Sequence, residues 1–129
     1  LFDRLIASVV KYVEANQGGL YVVEEQYGEK YIQLKSLYAY DRKKFVEQRI
    51  EIGQGLLGQC YLERQKIVLT EIPLHYISIT SGLGEATPSF IVILPMQIND
   101  EVEGLLELAS FSVMEPYKLE FLEKLGENI

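Results

Sequence analysis

The chain has 129 residues, 48% apolar and 24% charged, with a formal net charge of -7, one cysteine and one histidine. That length suits a single domain over residues 1–129, able to bury roughly two-thirds of its unfolded surface without disulfides or metals, and its dispersed Lys and Arg exclude a nucleic-acid surface. One cysteine excludes an internal disulfide and, beside one histidine, any multi-ligand Cys/His metal site.

No run approaches the roughly 18 apolar residues of a membrane span and no signal peptide is present, so a cytoplasmic domain without direct membrane contact is expected. Residue 1 is Leu and both ends fall inside amphipathic patterns. The domain is therefore expected to be a module with neighbours on both sides in a longer protein.

Residues 1–15, LFDRLIASVVKYVEA, place Phe2, Leu5, Ile6, Val9, Val10 and Val13 at spacings of three and four, which predicts an amphipathic helix. Asn16-Gln17-Gly18-Gly19 is expected to stop it, because glycine takes the left-handed conformation of a helix end at little steric cost. The stripe covers a sheet, or part of it pairs with a second copy; its width allows both. Residues 20–24 and 31–40 read as strands joined through Gln26-Tyr27-Gly28-Glu29-Lys30. In the second, Ile32, Leu34, Ser36, Tyr38 and Tyr40 fall on one face, opposite Tyr31, Gln33, Lys35 and Leu37. Residues 41–47 form a charged connector with Phe45 and Val46 as anchors.

Residues 48–52 alternate again, with Ile50 and Ile52 on one side. Gly53-Gln54-Gly55-Leu56-Leu57-Gly58 then opens a short helix that ends near Gln65-Lys66, and residues 67–72 form a third candidate strand stopped by Pro73. Residues 74–88, LHYISITSGLGEATP, are too apolar for a linker and too broken for a regular element. They predict a loop with one helical turn, lying over the sheet as a lid.

Residues 90–96 are apolar at every position, which suits a strand covered on both faces. Asn99-Asp100-Glu101 supplies turn chemistry, and residues 102–111 resume with Leu105, Leu106 and Leu108 after Gly104. The two runs predict the central antiparallel hairpin of one sheet. Glu115-Pro116 begins a last helix, whose apolar side is Tyr117, Phe121, Leu122, Leu125 and Ile129.

Three features bear chemistry. Gly53 to Gly58 satisfies G-x-G-x-x-G, with Glu71 near the spacing of a ribose-binding acid. The strand before it is alternating and half polar, and the rest reads as hairpins, which favours a structural turn with Leu56, Leu57 and Tyr61 facing the core. Cys60 reads as a small buried apolar side chain, and a pair with His75 is the thiol alternative. Glu107 lies between Leu106 and Leu108, where it is either a paired or solvated rim residue or a pocket carboxylate.

GQGLLGQCYLERQKIVLTE at residues 53–71 and SGLGEATPSFIVILPMQINDEVEGLLELASF at residues 81–111 closely resemble a GAF domain. The turn and helix at Gly53, the proline of Ile93-Leu94-Pro95-Met96 and the glycine of Glu103-Gly104-Leu105-Leu106 carry the likeness, which is nearest to domains of bacterial sensor histidine kinases and related signalling proteins. The resemblance implies an α+β, GAF-like (PAS-related) fold: a central antiparallel sheet of about five to six strands, terminal helices on one face, and short helices and loops over a pocket on the other.

It also implies what this copy lacks. Ala109-Ser110 stand where cyclic-nucleotide-binding members resemble one another in an Asn-Lys pair. No Cys-His dipeptide is present to hold a bilin, and a single thiol has no resolving partner for methionine sulfoxide reduction. The expectation is a non-enzymatic sensory domain without cofactor or metal, binding an unknown small molecule and forming a homodimer through its terminal helices. The ligand is expected between sheet and lid, near Leu57, Cys60 and Tyr61, with Ile52, Ile79, Phe90 and Val92 as apolar lining and Tyr38, Tyr76, Ser81 and Thr87 as polar groups. The rival readings are a ligand-free dimerisation and relay module and, third, a thiol enzyme.

Overall fold

The computed structural model describes residues 1–39, 49–73, 79–81 and 84–127, and for residues 79–81, 84 and 85 the backbone alone. The N-terminal stripe forms α1 (Phe2–Val13), which buries Ile6, Val9, Val10 and Val13. Its stop differs from the expected glycine stop. Glu14 takes the left-handed conformation at φ 58°, and the amides of Glu14 and Ala15 turn back to the carbonyls of Lys11 and Val10.

Gly18 and Gly19 instead lie inside β1 (Gln17–Gln26). A Cβ on Gly18 would sit 2.7 Å from Val10 Cγ2 and 2.8 Å from Leu108 Cδ2. Bare backbone at this point lets α1 settle against the sheet.

The chain continues through β2 (Glu29–Tyr38), β3 (Arg49–Glu51), α2 (Gly55–Glu63), β4 (Ile67–Leu69), β5 (Ile79–Ser81), β6 (Gly84–Ala86), β7 (Phe90–Ile98), β8 (Glu101–Ser110) and α3 (Pro116–Glu127). Six strands form one sheet in the order β3-β2-β1-β8-β7-β4, with every neighbouring pair antiparallel. The expected hairpin of β7 and β8 is present, and β8 pairs on its other side with β1. Asn99 and Asp100 both have positive φ, as do Tyr27 and Gly28, which is the backbone of tight hairpin turns whose twist matches the strands they join.

One expected element differs. Residues 79–86 contain a separate two-stranded ribbon, β5 with β6, where an irregular lid was expected; the β-branched Ile79 and Thr80 suit extended backbone. The one helical turn expected within residues 74–88 does not occur among the described residues of that stretch, and the connector at residues 41–47 lies outside the described residues. No helix among the described residues is long and apolar enough to cross a membrane.

Strand alternation divides the core into two layers. On one face, Leu20, Phe90, Val92, Leu94, Leu106 and Leu108 pack with α1 and with Leu122 of α3. On the other, Tyr21, Ile32, Ile91, Ile93, Leu105 and Ala109 pack with Leu57 and Cys60 of α2. Burying each large aliphatic side chain contributes about 1.5–3 kcal/mol, so β7 and β8, which feed both layers, hold the fold together.

In α3 the buried row is Lys118, Leu122 and Gly126, whereas Tyr117, expected on the apolar side, is exposed. A Cβ on Gly126 would lie 2.7 Å from the Pro95 carbonyl oxygen, so a glycine is needed where the helix touches β7. Lys118 buries its stem and brings its ammonium 3.5 Å from Glu115 and 3.8 Å from Glu14. Ile129 lies outside the described residues.

One expected alignment fails for a local reason. Leu20 pairs with Ser36 but Tyr21 pairs with Leu34, so Lys35 is an extra residue in β2. A bulge of this kind reverses the alternation beyond it. Ile32 and Leu34 therefore face α2, while Ser36 and Tyr38 face α1, where the Ser36 hydroxyl donates to the Asp3 carboxylate.

Candidate functional site

The face of the sheet turned toward α2 combines an apolar floor with a few buried polar groups. The local sequence first sets α2. Gly53 and Gly55 have φ of 86° and 61°, and the amide of Glu51 donates to the Gln54 side chain at 3.0 Å. A Cβ on Gly58 would meet backbone atoms of Gly53 at 2.7 Å. The G-x-G-x-x-G glycines are thus explained by a tight turn and by helix-to-turn contact. The dinucleotide reading also lacks its parallel crossover, because every strand pair in the sheet is antiparallel.

Cys60 on α2 is fully buried, and its thiol donates to the Gln65 carbonyl at 3.3 Å, with the Ile93 carbonyl at 3.9 Å. Burial, reinforced by the nearby Glu63 carboxylate, pushes its pKa from the ordinary 9.0 up to about 12. The group is a protonated, bonded thiol and a poor nucleophile. His75, its only possible histidine partner, lies outside the described residues.

Beside α2 the floor crosses five strands. Leu37, Gly19, Glu107, Ile93 and Ile67 follow one another in register, and the adjoining row runs Gln17, Ala109, Ile91 and Leu69. Glu107, Gln17 and Tyr21 are all buried. None of the three is without a partner. The Tyr21 ring folds back along β1, its Cε1 at 3.2 Å and its hydroxyl at 3.6 Å from where a Gly19 Cβ would stand. Gly19 is the space that the ring occupies. Among the described residues no group of three His, Cys, Asp or Glu is placed to hold a metal ion.

The expected site residues divide. Ile52, Leu57, Cys60 and Tyr61 come together over Ile91 and Ile93. Phe90 and Val92 belong to the opposite layer, because they alternate with Ile91 and Ile93, and Tyr38 joins them there because of the bulge at Lys35. Thr87 is solvent-exposed. Ile79 and Ser81 lie in β5, where only the backbone is described, and Tyr76 is outside the described residues.

Sequence reasoning missed Gln17, Gly19 and Tyr21 as one polar face. The signal was their i, i+2, i+4 spacing, hidden by assigning Gly18 and Gly19 to a helix end.

The sequence profile described as a GAF domain matches residues 1–129. None of the curated proteins matches this sequence. Among solved structures, the GAF domain of a phosphoenolpyruvate-protein phosphotransferase from Coxiella burnetii superposes with a TM-score of 0.77 at 17% identity, covering 96% of this chain and 74% of that one. The GAF domain of a two-component sensor histidine kinase from Bacillus halodurans gives 0.68 at 14% identity, covering 100% and 90%. A type II free methionine-R-sulfoxide reductase from Thermoplasma acidophilum gives 0.71 at 12% identity, covering 97% and 83%.

Proposed function

The chain belongs to the GAF domain family, and from that premise we propose that it is a regulatory, non-enzymatic sensory domain that binds a small molecule on the α2 face and passes the signal to its terminal helices. The observation that carries this reading is the division of one sheet into two layers that share β8. Leu105, Glu107 and Ala109 point to the α2 face, and Leu106 and Leu108 to the helix face. A change in β8 on one side is therefore felt on the other.

The end of β8 is tied to the end of α1. The Asn16 amide donates to the Ala109 carbonyl at 3.0 Å, and its side-chain oxygen accepts from the Phe111 amide at 3.0 Å. Movement at Ala109 thus reaches the C-terminal end of α1 through two hydrogen bonds. A ligand drives such movement only to the extent that it binds two arrangements unequally.

The output is a domain attached to these helices, such as a histidine kinase, in a cytoplasmic protein. The outer sides of the helices leave Phe2, Tyr12 and Tyr117 exposed, with Tyr12 against the Phe121 ring at 4.4 Å. This apolar exterior supports a homodimer built through the terminal helices. The protonated, buried Cys60 argues against a thiol enzyme.

Thermal denaturation in the presence of a library of cellular metabolites tests the reading. At least one chemical class is expected to raise the melting temperature in a concentration-dependent way. Stabilisation by none of them, with a dimer that forms regardless, would favour a ligand-free relay module instead.

A further inference from the structure

We infer that the chain has a second ligand site, on the helix side of the sheet and apart from the α2 face: a cleft between α3 and the turn from α2 to β4 that takes a small zwitterion, its carboxylate on Arg64 and its ammonium on Glu127.

The cleft has a volume of about 410 Å³, within the usual range of small-molecule sites, and carries charge of opposite sign on its two walls. Arg64 and Lys66 line one wall, Glu123 and Glu127 the other, and Leu94 and Pro95 form the floor. Because β4 begins with Ile67 opposite Ile93, residues 66, 65 and 64 run back beside Leu94 and Pro95. The Gln97 side-chain amide donates to the Arg64 carbonyl at 3.4 Å and holds this turn to β7.

α3 runs the same way along the opposite wall. Lys66 pairs with Glu123, and Gly126, nearly one turn on, stands over Pro95. Glu123 and Glu127 are four residues apart and share a helix face, their Cβ atoms roughly 6 Å from each other. Arg64 therefore follows Lys66 in the direction in which Glu127 follows Glu123, which sets a second cation beside a second anion. The first couple is closed by a direct ion pair. The second is open: among the described residues the side chains of Arg64 and Glu127 make neither an ion pair nor a hydrogen bond.

A singly charged ligand fits this arrangement poorly. An anion drawn to Arg64 also meets two carboxylates, and a cation drawn to Glu127 also meets Arg64 and Lys66. A molecule with both charges bridges the open couple. The planar guanidinium matches a carboxylate through two parallel N–H bonds, and an ammonium donates to the Glu127 carboxylate. The aliphatic floor of Leu94 and Pro95 suits an apolar side chain, which makes an α-amino acid or short peptide the ligand class.

The backbone supplies no reason for arginine at residue 64. It caps α2 in the left-handed conformation at φ 60°, where glycine is favoured. The side chain, not the turn, accounts for the residue. A bound zwitterion ties this turn to the last turn of α3 and gives the terminal helix an input that does not pass through β8.

L-leucine, N-acetyl-L-leucine and L-leucinamide, which carry both charges, the negative one alone and the positive one alone, test the proposal on the 129-residue chain by amide NMR of Lys66, Gln97 and Gly126. Leucine is expected to shift these amides saturably and to bind roughly tenfold or more tightly than either analogue, since each analogue lacks one charged hydrogen bond. Added salt should weaken it, because Arg64 and Glu127 are exposed. Arg64→Gly relieves the left-handed backbone and so keeps the fold; it is expected to weaken leucine roughly tenfold and to leave leucinamide unchanged. Glu127→Gln should do the converse, weakening leucine and leaving N-acetyl-leucine unchanged.

Binding of either analogue as tight as that of leucine, or undiminished leucine binding in Arg64→Gly, overturns the zwitterion assignment. If leucine leaves Lys66, Gln97 and Gly126 unmoved, the second site falls. Shifts confined to Leu57 and Cys60 would also remove it, while leaving the α2 face as the ligand-binding face. The three probes on the unmodified chain decide the matter even if a variant does not fold.

Discussion

The helix face and the α2 face are made from alternate residues of the same strands, yet they are built differently. Toward α1 and α3 the strands present Leu20, Phe90, Val92, Leu94, Leu106 and Leu108. Toward α2 they present Ile91, Ile93 and Leu105 interrupted by Gln17, Gly19, Glu107 and Ala109. The first layer is a packing surface whose polar contacts, such as Ser36 with Asp3 and Asn16 with Phe111, sit at its margin. The second gives up aliphatic contact for small residues and buried hydrogen-bonding groups, the composition of a recognition surface.

Substitution on the two faces puts that contrast to work. Leu108→Ala removes a fully buried side chain from the helix layer and is expected to cost about 3–4 kcal/mol in urea denaturation. A loss below about 1 kcal/mol would mean that this layer is loosely packed.

The adjacent glycines make a sharper pair. Gly18→Ala forces a Cβ to 2.7 Å of Val10, 2.8 Å of Leu108 and 3.0 Å of Ile6, and is expected to cost about 1–3 kcal/mol. Gly19→Ala meets Tyr21 and Leu37 only at 3.2 and 3.3 Å, so its loss should be the smaller of the two. The reverse order would contradict the idea that α1 rests on Gly18.

On the α2 face, pH reports on Cys60. In the unfolded chain the thiol ionises near 9.0, whereas in the folded chain it holds its proton to about 12. Its contribution is complete below pH 9 and is lost as pH rises toward 12, because the unfolded state gives up a proton that the folded state keeps. Between pH 8 and 10 stability should fall by about 1 kcal/mol more in the unmodified chain than in Cys60→Ala. Equal slopes would show a thiol exposed to solvent.

The smallest effect belongs to neither layer. Lys66 and Glu123 form an ion pair at the surface, each roughly two-fifths exposed. Lys66→Ala should change stability by less than about 0.5 kcal/mol, and added salt should shrink that further.

Much of this architecture was legible beforehand. The three-and-four spacing in residues 1–15, the unbroken apolar run at residues 90–96, the Asn99-Asp100 turn and the Glu115-Pro116 helix start each had a local physical cause, and each appears in the fold. The candidate site was legible only in part. Ile52, Leu57, Cys60 and Tyr61 lie in one cluster because short-range turn and helix chemistry brings them together. Phe90, Val92 and Tyr38 went to the other face because their side depends on long-range pairing. Gln17 and Tyr21 were missed because a Gly-Gly pair reads equally well as a helix end and as a strand that something approaches closely.

By itself the sequence determined most of the strand and helix segments, though not the start of β1 or the β5–β6 ribbon, together with the antiparallel hairpin of β7 and β8 and membership of a fold family, since these follow from periodicity, turn chemistry and motif spacing within short windows. Only the tertiary structure decided which parity of each strand faces α2. That choice depends on an extra residue at Lys35 and on where α1 comes to rest over Gly18, and one inserted residue reverses every side chain beyond it while leaving the hydrophobic pattern almost unchanged.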